Sequence, residues 1–343
     1  MRLILLITSV LALAQTDAQT LGGSAAYTFL SLPSTPLLSA SGGVNTSYYS
    51  NDIGLALNNP ALIKPELHTD VSLSFNNYFA GIKAFNLSGG YYKEKVQTTF
   101  GANIFFIDYG KVQQTDASGN ISGDFHPVDY AIQISASRMY LEKWYYGLSA
   151  KFINSKYQQY SSNALAFDVG VLYIDSVNNL TASVLAKNIG VQLKSYTQQK
   201  EDLPFDLEAG VTKKLEKAPF AFSLTAHHLH HFNIIYNDTT FNDENNFTFH
   251  NSFLNKLFSH LVFAAHIYAG SNLEATIGYN VLRRQELNIG SGGNGLNGFS
   301  TGMLAKFKKL QFQYARSYFQ RNVAYNQFAV AITLNQLFGI EGL

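Results

Sequence analysis

Cysteine is absent from all 343 residues. Its absence excludes disulfides, cysteine-ligated zinc and a lipidated N-terminal cysteine. Charge is scarce as well: Asp, Glu, Lys and Arg together supply 14% of the chain, against roughly 25% in ordinary soluble domains. So few charges cannot coat a soluble surface of this size. The net charge of +1 argues against nucleic acid as a partner, because phosphate contacts demand a basic excess. Long apolar runs are missing too. The run from Leu3 to Ala14 stops at about twelve residues, short of the ~20 that a membrane helix needs.

What is plentiful is aromatic: 26 Phe and 21 Tyr. From residue 71 to residue 335 about 14 stretches alternate apolar and polar side chains. One set of connections is three or four residues long (Lys93–Lys95, Glu142–Trp144, Asp175–Asn178, Gly270–Asn272). The other is mostly long (Gly110–Pro127, Asn188–Phe205, His230–Leu257, Arg284–Asn297). Alternating short and longer connections segregate turns to one side and loops to the other. That is the pattern of an all-β transmembrane antiparallel β-barrel of about 14 strands in a bacterial outer membrane.

The parity can be read strand by strand. Phe100, Ala102, Ile104 and Phe106 face one way, and Thr99, Gly101 and Asn103 the other. Tyr146, Leu148, Ala150 and Phe152 oppose Gly147, Ser149 and Lys151. Leu273, Ala275, Ile277, Tyr279 and Val281 oppose Glu274, Thr276 and Asn280, and Phe328, Val330, Ile332 and Leu334 oppose Gln327, Ala329, Ala331 and Thr333. Lipid offers a strand edge no hydrogen bonds, so the sheet must close on itself. Lys151, Asp168, Asp206, Glu208 and Glu274 all fall on the polar parity, which is expected to face the lumen. Tyr78, Phe79, Tyr91, Tyr92, Tyr109, Tyr140, Trp144, Tyr145, Tyr157 and Tyr318 collect near strand ends, where headgroup girdles are expected.

Ahead of the barrel, residues 1–18 read as a secretory signal: Arg2, the apolar run, then Ala12, Ala14 and Ala18. Cleavage is expected before Gln19, with Gln15 the alternative. Residues 19–69 are rich in Ser, Pro and Gly and are expected to form a plug inside the barrel of residues 70–343, rather than a periplasmic leader. Asp52 to Asn58 suits a short helix, stopped ahead of Pro60. With both termini periplasmic, the long loops face the cell exterior.

Three constellations invite chemistry. His227-His228-Leu229-His230-His231, with His250, His260 and His266 downstream, is the strongest metal candidate. On a strand His228 and His230 would share one face and His227 and His231 the other, and Asp238 and Asp243 are only loop neighbours. No convergent partner is evident, so no metal site is assigned. Gly290-Ser291-Gly292-Gly293-Asn294-Gly295 lacks the lysine and helix of a phosphate loop. Asp206 and Glu208 share a lumen parity without the opposed environments of a catalytic pair, and no serine sits in a nucleophile elbow. No catalytic residue and no cofactor are expected; the chain reads as non-enzymatic.

Several stretches, in order, resemble the PorQ family, barrel components of the type IX secretion system of Bacteroidetes. They are Leu21-Gly22-Gly23-Ser24-Ala25-Ala26-Tyr27-Thr28-Phe29-Leu30, Asn59-Pro60-Ala61-Leu62, and Tyr109-Gly110 followed by Gly123-Asp124-Phe125. Further along come Lys187-Asn188-Ile189-Gly190-Val191-Gln192-Leu193 and Leu203-Pro204-Phe205-Asp206-Leu207. Ala218-Pro219-Phe220 then leads into Thr225-Ala226-His227-His228-Leu229. The resemblance implies a FadL-like barrel with no catalytic residue. It also implies a place in the surface attachment complex, holding a PorZ-like surface protein near PorU- and PorV-like components. Membrane lipid is a partner, and lipopolysaccharide a further candidate contact. The alternative within the same fold is a FadL-type transporter of hydrophobic small molecules.

Overall fold

A computed structural model describes residues 25–235, 252–287, 295–320 and 323–335. The proposed signal peptide, the glycine-rich stretch through Asn294, and Asp238, Asp243 and His250 lie outside those residues.

Sixteen strands form in chain order: β1 (Asp70–Asn77), β2 (Lys83–Lys93), β3 (Thr98–Asp108), β4 (Val112–Thr115), β5 (Ile121–Phe125), β6 (Val128–Tyr140), β7 (Trp144–Tyr157) and β8 (Tyr160–Asp175). They continue as β9 (Leu180–Lys194), β10 (Asp206–Lys214), β11 (Phe220–Ala226), β12 (Leu261–Ala269), β13 (Leu273–Asn280), β14 (Phe299–Phe307), β15 (Leu310–Gln320) and β16 (Val323–Thr333). Fourteen close into an antiparallel barrel, with β1 paired to both β2 and β16. The Asp70↔Thr333 to Asn77↔Asn326 register seals the seam. The remaining two, β4 and β5, pair as a separate hairpin in the β3–β6 loop.

Burial is inverted relative to a soluble protein. Leu73, Ile134, Leu148, Val184, Met303 and Phe328 each expose more than half of their surface. Ser72, Ser74, Asn86, Ser149, Thr276 and Gln327, on the opposite parity, are buried. An apolar outside wrapped around a polar inside is what a bilayer imposes on a closed sheet. The five charges expected in the lumen are all there: Lys151, Asp168, Asp206, Glu208 and Glu274 are buried.

Four sequence expectations need correction. The loop side is not uniformly long, because Gln158-Gln159 alone join β7 to β8. The aromatic girdle is partial: Phe79, Tyr91, Tyr140 and Trp144 are exposed, but Tyr78 and Tyr145 turn inward. Tyr109 and Tyr157 follow them, because their hydroxyls find the buried Asp129 carboxylate at 2.6 and 2.9 Å. Strand β13 ends at Asn280, and Val281 begins a helix through Leu287. Finally, His227–His231 are not on a strand: β11 stops at Ala226, and His228 takes φ 54°, which breaks the two-residue alternation.

The segment before β1 lies within the barrel. It starts on the loop side, where Ala26 donates to the Asp202 carbonyl at 2.8 Å and Phe29 stacks on Phe105. It ends on the turn side, where Thr69 donates to Gly90. Its short turns are locally encoded. Pro36 and Pro60 occupy first helical positions, where a missing N–H costs nothing. The Asp52 carboxylate accepts from Gly54 and Leu55, starting the Ile53–Ala56 turn, and Asn59 caps the next by accepting from Ala61. Asn59 also donates to the Thr46 carbonyl at 2.8 Å.

The wall is shaped to receive this segment. A Cβ on Gly147 would sit 2.3 Å from the Pro60 carbonyl carbon, and one on Gly278 2.2 Å from the Gly42 nitrogen. Wall glycines therefore let backbone meet backbone. Ile53, Leu55, Leu62, Ile63 and Leu67 are fully buried, each stabilised by about 1.5–3 kcal/mol relative to water.

Candidate functional site

Two polar networks tie the inner segment to the wall. In the first, Lys151 on β7 contacts Asp168 on β8 at 2.6 Å and the Asn188 side-chain oxygen at 2.8 Å. Asn188, itself at φ 58°, donates its backbone N–H to Asp168 and its amide to the Pro204 carbonyl. Neighbouring Lys187 reaches Asn58 of the inner segment at 2.8 Å. In the second, the Tyr48 ring stacks on His266 at 3.7 Å and its hydroxyl donates to Glu274 at 2.7 Å. Ser47 reaches Thr212, and Thr212 reaches Ser223, each at 2.8 Å.

That second network contains Ser223, His266 and Glu274 in the order of a nucleophile, base and acid. Ser223 Oγ lies 3.3 Å from His266 Nε2, and His266 Nδ1 lies 3.2 Å from Glu274. The geometry does not make a hydrolase. His266 is fully buried beneath the Tyr48 ring, and the Ser223 hydroxyl is shared with Thr212. These three residues hold the inner segment in place.

Between that segment and the wall on the loop side is a cavity of about 230 Å³. Its lining mixes apolar side chains (Leu30, Leu32, Pro33, Leu38, Leu282 and Leu287) with ionisable ones (Asp206, Glu208, His227, His228, Arg283 and Glu286). Asp206, the first residue of β10, organises the ionisable group. Its Oδ1 accepts from the His228 backbone at 2.6 Å and lies 3.3 Å from His228 Nδ1 and 4.0 Å from His230 Nδ1. Leu229 donates to the Leu207 carbonyl at 3.0 Å, so the chain after β11 folds back onto β10. His260 closes the arrangement through its own Nδ1, 2.7 Å from the His227 carbonyl.

These histidines are shifted in different directions. Burial pushes His227 down to about 3 and His230 down to about 4, with neighbouring histidines adding to the effect. Burial, the largest effect on His228, works to lower it, but the bond to Asp206 and the charges of the Asp206, Glu208 and Glu286 carboxylates together outweigh it, and His228 sits above the usual imidazole value.

Asp206 is the partner that sequence reading of the histidine run missed. It lies 22 positions before His228, and strand parity gave no signal because His228 is left-handed. Asp206, Glu208, His227 and His228 do converge, all lining the loop-side cavity. Several stretches that carry the PorQ resemblance also meet here. Leu30, Lys187 and Asn188, Pro204 and Asp206, and His227 and His228 all line the cavity.

No protein-family model matches the chain, and no curated protein matches it in sequence. Solved structures do. A TodX monoaromatic hydrocarbon channel mutant aligns over 87% of this chain and 97% of its own, with 12% identity and a TM-score of 0.51. The CymD monoaromatic hydrocarbon channel aligns over 87% and 96%, at 13% identity and the same TM-score. A FadL homologue of Pseudomonas aeruginosa covers 88% and 98%, at 9% identity and again 0.51. At such identities the likeness is one of fold: a closed 14-stranded FadL-type barrel.

Proposed function

We propose that this protein is a non-enzymatic outer-membrane channel that admits a small molecule with an apolar body and a polar end. In this reading residues 19–69 are the plug, the turns are periplasmic and the long loops face the exterior. The carrying observation is the loop-side cavity, whose lining combines leucines and a proline with ionisable groups. Its volume suits a small molecule rather than a polymer. The fold supports the reading, since the similar barrels named above include channels for monoaromatic hydrocarbons. The test is uptake of labelled monoaromatic and short fatty-acid compounds into cells with and without the protein. Protein-dependent uptake that falls when Leu282→Trp fills the cavity supports the channel; identical uptake in both cells overturns it.

A second reading is favoured by two observations: the inner segment packs against the wall, and residues of the PorQ-like stretches line the loop-side cavity. Here the barrel anchors a PorZ-like surface protein in a type IX attachment complex, beside PorU- and PorV-like components, with lipopolysaccharide as a further contact. Cross-linking in intact cells separates the readings. An anchor yields a stable surface partner and no protein-dependent uptake.

A further inference from the structure

We propose that Asp206, His228 and His230 form a binding site for a zinc-class divalent transition-metal ion, with an open coordination position facing the loop-side cavity. One potential ligand atom from each of the three lies within 4.8 Å of the others. A tetrahedral ion with bonds of about 2.0–2.1 Å places its ligand atoms about 3.3 Å apart. The Asp206–His228 pair is already at 3.3 Å, and the Asp206–His230 pair at 4.0 Å needs to close by only about 0.7 Å. A small shift of the His230 side chain supplies that.

Ligand chemistry selects the class of ion. Two imidazoles and one carboxylate suit zinc, nickel or copper, whereas calcium and magnesium favour all-oxygen sets. A second observation points to a missing occupant. The Nδ1 atom of His230 is buried with no hydrogen-bond partner among the described residues, as are His227 Nε2 and Glu208 Oε2. Glu208 is 2% exposed and also lines the cavity. Buried polar atoms are nearly always satisfied, and an ion bound here with its water would partner these three. His230 and Asp206 also come from different elements. A bound ion therefore pins the chain leaving β11 to the start of β10, fixing the entry to the longest loop. The inference stands whether the barrel is a channel or an anchor.

The test is equilibrium binding of zinc chloride to the full chain, refolded in detergent without a histidine tag and stripped with chelator. The expected result is one saturable zinc per chain. His230→Ala should weaken it at least about tenfold, while His231→Ala should leave it unchanged. Absence of saturable binding, or equal affinity in wild type and His230→Ala, overturns the site. Cobalt bound to the wild type provides a readout independent of folding of the variants. Visible bands of a four- or five-coordinate nitrogen–oxygen site support the proposal, and the spectrum of hydrated cobalt refutes it.

Discussion

Replacing Lys151 with Met should be the most damaging single change in the wall. Lys151 is 6% exposed and Asp168 is fully buried, and their closest contact is 2.6 Å. Met keeps most of the length of the side chain and removes the charge together with the hydrogen bonds to Asp168 and Asn188. Asp168 then loses its cation, retaining the Asn188 backbone N–H at 2.8 Å. Breaking a buried pair in this way costs about 3–5 kcal/mol. A void of about 50 Å³ borders Lys151. It has room for water beside the carboxylate, so the lower end, about 3 kcal/mol, is expected. The second charge can then be removed. Lys151→Met/Asp168→Asn should recover most of the loss, because a neutral amide still accepts from Asn188. The assay is reversible denaturant unfolding from lipid vesicles, followed by the fluorescence of Trp144. It is the sole tryptophan, and it is 44% exposed at the turn-side end of β7. A single variant that loses less than about 1 kcal/mol, or a double variant no better than the single, would refute the reasoning.

Two further changes probe the seat of the inner segment. Gly147→Val drives side-chain carbons into Pro60 and Ala61 backbone, an overpacking cost of at least about 1–3 kcal/mol. It should expose the buried Lys64 to acylation by a water-soluble amine reagent while the barrel keeps its heat-modifiable migration on gels. Unchanged resistance at Lys64 would contradict the seat. Asn59→Ala removes a helix cap and the bond to Thr46, and should cost about 1–2 kcal/mol in the same unfolding assay; no change would show that Asn59 is dispensable.

The barrel was legible in the chain because lipid and lumen impose opposite demands on alternate residues, and that signal repeats in every strand. Lys151, Asp168 and Glu274 could be placed inside from parity alone. Parity cannot, however, say which strand lies opposite which at a given height, so the Lys151–Asp168–Asn188 contact and the Tyr48–His266 stack needed the closed register. The histidine run misled because strand periodicity was carried past Ala226 into a chain that turns at His228. The β4–β5 hairpin was hidden for a simpler reason. Four- and five-residue strands flanking the Asp116-to-Asn120 turn are too short to stand out from a polar loop. Tyr78 and Tyr145 were assigned to headgroups by position, but their register points them inward.

The central claim is that a cysteine-free barrel spans the outer membrane with its own N-terminal segment lodged in the bore. Ser47 and Thr212 touch across that boundary at 2.8 Å, so Ser47→Cys/Thr212→Cys creates the chain's only thiols. The decisive measurement is mass-spectrometric detection of a bond between them after mild oxidation of intact outer membranes. Near-complete linkage, with no labelling by a membrane-impermeant thiol reagent, is the predicted result. Two free, labelled cysteines in a folded barrel would contradict it.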